Sequence, residues 1–124
     1  MKIEISNGEL LDKLSILELK IKNIQDKHKL LNIQKEYNEL LQCATELLIN
    51  NEVLKKYKKL QKINIKLWNI ENNIRLKEKN KTFDQEFIDL ARSVYITNDK
   101  RANIKKDINI LSESSFIEEK SYEI

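Results

Sequence analysis

Proline is absent from this 124-residue chain, and glycine occurs once, at Gly8. These two residue types most readily punctuate a chain with tight turns and hairpins. A sequence almost without them favours long helices joined by short polar turns. The expected fold class is therefore all-α: a compact antiparallel bundle of three to four helices. With 40% hydrophobic and 35% charged residues, the chain is too apolar to stay disordered and suits helices with one wet face. Its length allows a single domain, 1–124, around one core.

Hydrophobic spacing divides the chain. Ser6-Asn7-Gly8-Glu9 has the form of a capping box, and an apolar seam follows at Leu10, Leu14, Leu17, Ile21 and Ile24. A second series, Ile33, Tyr37, Leu40, Ala44 and Leu47, is out of register with the first. The phase shift places a kink or short turn within residues 26–32. The alternative is one helix from Gly8 to Ile49, about 60 Å long, overhanging its partners. Asn50-Asn51 makes the next break, and the third seam runs Val53, Tyr57, Leu60, Ile63, Leu67, Ile70 and Ile74. Thr82 with Gln85 forms a second capping box. Helices are expected at about 7–27, 30–49, 52–79 and 83–111. The short turn at 79–82 makes the last two an antiparallel pair. The extended N-terminal segment and a tail at 112–124, which carries Phe116, Ile117 and Tyr122, are expected to lie against the bundle.

The last helix has an unusual seam. Phe83, Phe87, Leu90 and Val94 recur at helical spacing, then Asn98, Arg101 and Lys105 take the same line before Ile108 closes it. A bundle helix seldom places two cations on its core line without compensation. The third helix has a matching interruption, with Asn64 and Glu71 within its seam and Trp68 and Arg75 at the edge. Folding the pair at its turn sets Glu71 level with Arg92 or Ala91, Trp68 beside Val94 or Tyr95, and Asn64 beside Asn98. Two readings follow. In one, Asn98, Arg101 and Lys105 receive an anionic ligand, with Arg92 assisting and Glu18 or Glu71 as acid or base. In the other, the polar layer is an internal network of Glu71–Arg92 or Glu71–Arg75 pairs and Asn64–Asn98 hydrogen bonds that sets helix register. The second is the commoner outcome in helical bundles and is narrowly preferred.

Charge is uneven. Residues 51–82 hold ten Lys/Arg against three Asp/Glu, although the whole chain is only +3. Lys55, Lys59, Lys62 and Lys66, with Lys58 alongside, form a stripe away from the third seam that could meet phosphate or an anionic surface. The stripe has no arginine, no interleaved exposed aromatics and no nucleic-acid motif, so a solvated face is preferred over nucleic-acid binding. The i, i+3 carboxylate pairs Glu36/Glu39 and Glu86/Asp89 are the kind that hold Mg²⁺ in all-α pyrophosphohydrolases, but such pairs arise by chance among 20 acidic residues. No metal site and no cofactor are expected. His28 reads as a boundary residue. Cys43, the sole cysteine, excludes an internal disulfide and a thiolate zinc site, and is expected as a buried inert thiol in a reducing compartment. No run is apolar enough to span a bilayer and no signal peptide is evident, so the expected location is cytoplasmic.

The runs ISNGELLDKLSILELK at Ile5–Lys20, NIKLWNIENNIR at Asn64–Arg75, ARSVYITNDKRANIKKDIN at Ala91–Asn109 and IEEKSY at Ile117–Tyr122 resemble a family of short bacterial and phage proteins known only as a domain of unknown function. The resemblance implies that Asn64, Trp68, Glu71, Arg75, Arg92, Tyr95, Asn98, Asp99, Arg101 and Lys105 belong to a family pattern. It implies no particular activity. The leading expectation is a non-enzymatic binding or assembly module, acting through a protein partner or as a homodimer. A helical-bundle enzyme or binder of small anions is the alternative, and nucleic-acid binding through the lysine stripe comes third.

Overall fold

A computed structural model describes residues 2–113, which contain four α-helices and no strand. These are α1 (Asn7–Asn23), α2 (Lys27–Ile49), α3 (Asn51–Lys79) and α4 (Gln85–Leu111). The all-α bundle is as the composition implies. The expected tail lies outside the described residues from 114 onward.

Local chemistry accounts for each boundary. Ser6 caps α1 by accepting from the Glu9 amide at 3.1 Å. The break after α1 comes earlier than the phase shift suggested. Ile24 is already extended and Asp26 caps α2 by accepting from the Lys29 amide, so 27–32 is helical. Asn50 alone separates α2 from α3: its backbone ends one helix while its side chain accepts from the Glu52 and Val53 amides. After α3, Lys81 adopts φ 52°, the Thr82 amide donates back to the Lys77 carbonyl, and the Lys81 amide donates to Glu78. This is a left-handed helix stop made without glycine. The Thr82–Gln85 capping box does not form. Asp84 caps α4 instead, accepting from Phe87, and Phe83 is left outside the helix and 57% exposed. Lys77 grips both Asp84 and Glu86 across the turn, and this hydrogen-bonding holds the Asp84 carboxyl below its ordinary range.

Ion pairs Lys56–Asp107 and Lys77–Asp84 bracket the α3–α4 hairpin and set its register. Against this hairpin, α1 meets α4 first at Lys105 and then at Arg101, and meets α3 first at Asn64 and then at Gln61 and Tyr57. Running counter to both members of an antiparallel pair is possible only if α1 lies obliquely across them. Its backbone lies close to all three other helices, whereas the backbones of α2 and α4 do not approach each other closely among the described residues. Leu10, Leu11, Asp12, Leu14, Ser15 and Leu17 are accordingly all buried, so α1 is enclosed on most sides. Leu11, Leu14, Ala44, Val53, Tyr57, Leu60 and Ile108 form the core where the four helices meet.

Some expected positions differ. Ile3 and Ile5 are exposed, so the N-terminal segment up to residue 5 does not bury against the bundle. Cys43 is exposed, because α2 packs only one face against α1 and α3 and buries Ala44 alone completely. His28 is exposed in the first turn of α2.

The crossing demands close approach at Gly8. A Cβ there would stand 2.9 Å from Asn109 Oδ1 and still nearer the Lys105 carbonyl oxygen, which is backbone and cannot swing away. The Gly8 amide donates to Asn109 Oδ1 at 2.7 Å. Gly8→Ala should therefore lower stability by about 1–3 kcal/mol despite alanine's better helix propensity, read as a lower urea midpoint. An unchanged midpoint would mean that α1 does not cross α4 this closely.

Candidate functional site

The two cations on the α4 seam are both met by carboxylates from α1. Arg101 grips Asp12 with two nitrogens: Nε donates to Oδ1 at 2.9 Å and Nη2 to Oδ2. Lys105 Nζ donates to Glu9 Oε2 at 2.6 Å and stands 3.9 Å from Asp12 Oδ2. The Asp12 side chain is 1% exposed, that of Lys105 11% and that of Arg101 26%. Asn64 adds a third donor to Asp12, giving Nδ2 to Oδ1 at 3.0 Å and to Ser15 Oγ at 3.1 Å. Asn98 completes the set from the other side, its Oδ1 accepting from Arg101 Nη1 at 3.4 Å. A buried carboxylate is tolerable only with this many donors.

The polar layer thus differs in partners from both sequence expectations. Asn64 and Asn98 do not bond each other. Asp12 and Arg101 stand between them. Glu71 pairs with Arg75 at 3.8 Å, an exposed contact, while Arg92, Tyr95 and Asp99 lie exposed on α4. Asp12 and Ser15, which sequence reasoning passed over, are fully buried. A signal existed: Gly8, Asp12 and Ser15 fall at i, i+4 and i+7, a stripe of small and polar residues beside the leucine seam. Asn109, also overlooked, is buried where it accepts from Gly8, and Thr97 is buried with its hydroxyl unpartnered among the described residues.

Beside this cluster, where α1 diverges from the hairpin, a groove of about 620 Å³ opens. Asn64, Trp68, Glu71 and Arg75 line it from α3, Asn98 and Arg101 from α4, and Ile16 and Leu19 from α1. Six of the ten pocket candidates therefore share one groove. Lys105 sits deeper, in the ion pair, and Arg92, Tyr95 and Asp99 are not on the groove wall. Its charges are matched, Arg101 by Asp12 and Arg75 by Glu71.

The whole chain, residues 1–124, matches the model described as a family of unknown function, DUF6165. The chain belongs to that family. No curated protein and no solved structure matches it.

The remaining sequence candidates lie elsewhere. Glu18 accepts from Tyr57 Oη at 2.6 Å and from Gln61 Nε2 at 2.7 Å, so its oxygens are already engaged. All five lysines of the stripe are exposed, and two of them, Lys58 and Lys62, border with Lys22 of α1 a smaller groove of about 380 Å³ that also contains Glu18. Glu36 and Glu39 are exposed, Glu86 pairs with Lys77, and Asp89 accepts from Gln85. No group of three or more His, Cys, Asp or Glu among the described residues is placed to hold a metal ion. No helix there is long and apolar enough to cross a membrane.

Two outcomes follow. Asp12→Ala strands Arg101 in the interface and should cost about 3–5 kcal/mol, much of it regained in the Asp12→Leu/Arg101→Met double variant. A urea double-mutant cycle measures this, and simple additivity would contradict the coupling. Burial, reinforced by Glu18, raises the Tyr57 pKa well above its ordinary 10.0. The folded protein then keeps this proton where the unfolded chain releases it. The resulting stability is complete below pH 10 and drains away as pH climbs beyond it. Ultraviolet titration should show Tyr57 ionising only with alkaline unfolding, and Tyr57→Phe should flatten the fall in stability above pH 10.

Proposed function

We propose that this protein is a non-enzymatic binding module whose ligand enters the groove between α1, α3 and α4. The observation that carries this reading is the pairing of the groove's inner cation. Arg101 is committed to Asp12, and Lys105 behind it to Glu9, so the site is built to hold its shape without a ligand's charge. A small anion would have to compete with a buried carboxylate held by several hydrogen bonds, which disfavours the anionic-pocket reading. What the groove offers is a half-buried indole, apolar flanks from Ile16, Leu19 and Leu67, and the amides of Asn64, Asn72 and Asn98. Preformed grooves of this composition and size suit small, largely uncharged ligands. Of the two candidate acid–base groups, Glu18 is bonded outside this groove, and Glu71 on the groove wall is exposed and paired with Arg75, an arrangement that supports binding over turnover.

Trp68 is the only tryptophan in the chain, so intrinsic fluorescence reports the groove directly. A screen of metabolites and short peptides should yield compounds that alter Trp68 emission and raise the melting temperature together. Trp68→Ala should abolish the thermal shift. A shift that persists in that variant would place the binding site elsewhere.

A further inference from the structure

The ion pair fixes the hydrogen-bonding polarity of the two amides beside it. Asn64 donates Nδ2 to the Asp12 carboxylate and to Ser15, and a carboxylate can only accept from it. Its amide is therefore oriented with Oδ1 outward, and that oxygen remains an acceptor on the groove wall. Asn98 turns the other way. A guanidinium can only donate, so Asn98 Oδ1 faces Arg101 and Nδ2 is left as the outward donor. Ordinarily the two ends of an asparagine amide are interchangeable, but the charges of Asp12 and Arg101 remove that freedom here. Trp68 lies one turn along α3 from Asn64 on the same groove wall.

From this arrangement we infer that the groove takes a flat heterocycle bearing adjacent hydrogen-bond donor and acceptor atoms, as a free nucleoside does on its base. The inference rests on the groove being a binding site and names its ligand class. The indole face stacks on a planar ring. Asn64 Oδ1 receives the ring's donor, and Asn98 Nδ2 gives to its acceptor, a pairing of the kind amides make with base edges. The local charges cancel in pairs, which suits an uncharged ring over a phosphate or carboxylate. A groove of about 620 Å³ is ample for one nucleoside.

The test titrates adenosine, guanosine, cytidine and uridine into the full-length protein and follows quenching of Trp68 emission. At least one should quench saturably. N6,N6-dimethyladenosine and N3-methyluridine, whose ring-edge donors are blocked, should bind about tenfold or more weakly than their parents. Asn98→Asp keeps the oxygen that Arg101 holds but replaces the outward donor by an acceptor. It should weaken nucleoside binding by a similar factor while leaving the urea midpoint unchanged or higher. Equal binding by Asn98→Asp, or equal binding of blocked and parent nucleosides to wild type, would overturn the inference. Silence of all four nucleosides would do the same, and a compound of another class found by the fluorescence screen would then leave the groove standing as a binding site with a different ligand. If Asn98→Asp fails to fold, the blocked nucleosides still decide the question on the wild-type protein.

Discussion

Asp12 carries a full charge into the interior with 1% of its side chain exposed, and the rest of the architecture is arranged to make that tolerable. Stripping water from a carboxylate costs several kcal/mol. The cost is offset by a two-pronged guanidinium, an amide donor from α3 and the nearby ammonium of Lys105. None of these donors comes from α1 itself. The pair is satisfied only when α1, α3 and α4 are all in place, and this makes it a specifier of the crossing geometry as well as an interaction. One turn away, Glu9–Lys105 repeats the scheme in a less buried position, with the acidic residue also favoured by its place in the first turn of α1.

The obliquity of α1 has two structural consequences. At its N-terminal end, α1 presses onto α4 so closely that only glycine fits at position 8, and Asn109 becomes the acceptor for the backbone amide exposed there. Farther along, the α3–α4 hairpin runs past the shorter α1, and Ile16 and Leu19 form one wall of the groove that opens between them. Contact and groove are thus two ends of the same crossing. A parallel bundle would have filled the groove with another helix's seam and left Gly8 unnecessary.

Much of this was legible residue by residue, and the misses have identifiable causes. The break in the α4 seam at Asn98, Arg101 and Lys105 correctly marked a polar layer, because helical periodicity places those residues on one line whatever packs against them. Asn98 was expected to bond Asn64 of α3 and instead accepts from Arg101, while the counter-charges of Arg101 and Lys105 are Asp12 and Glu9 of α1. Asp12 was passed over because a single leucine seam was assumed for a helix that in fact touches three others. Thr82 and Asp84 both suit a helix cap, and the Lys77 grip on Asp84 tips the choice towards the later position. Cys43 was placed inside on the premise that α2 is covered more widely than it is.

Composition and periodicity by themselves determined the all-helical class, the four segments and the existence of polar positions on two seams. Those properties follow from local backbone preference and the spacing of apolar side chains, which need no knowledge of what lies opposite. Only the tertiary structure decided that α1 crosses the hairpin, that Asp12 and Glu9 are the counter-charges, and that the amides of Asn64 and Asn98 present opposite polarity to one groove. A buried charge is paired by whichever helix reaches it in space, and a crossing angle depends on the fit of three surfaces at once, so neither is recorded in the order of residues along any one helix.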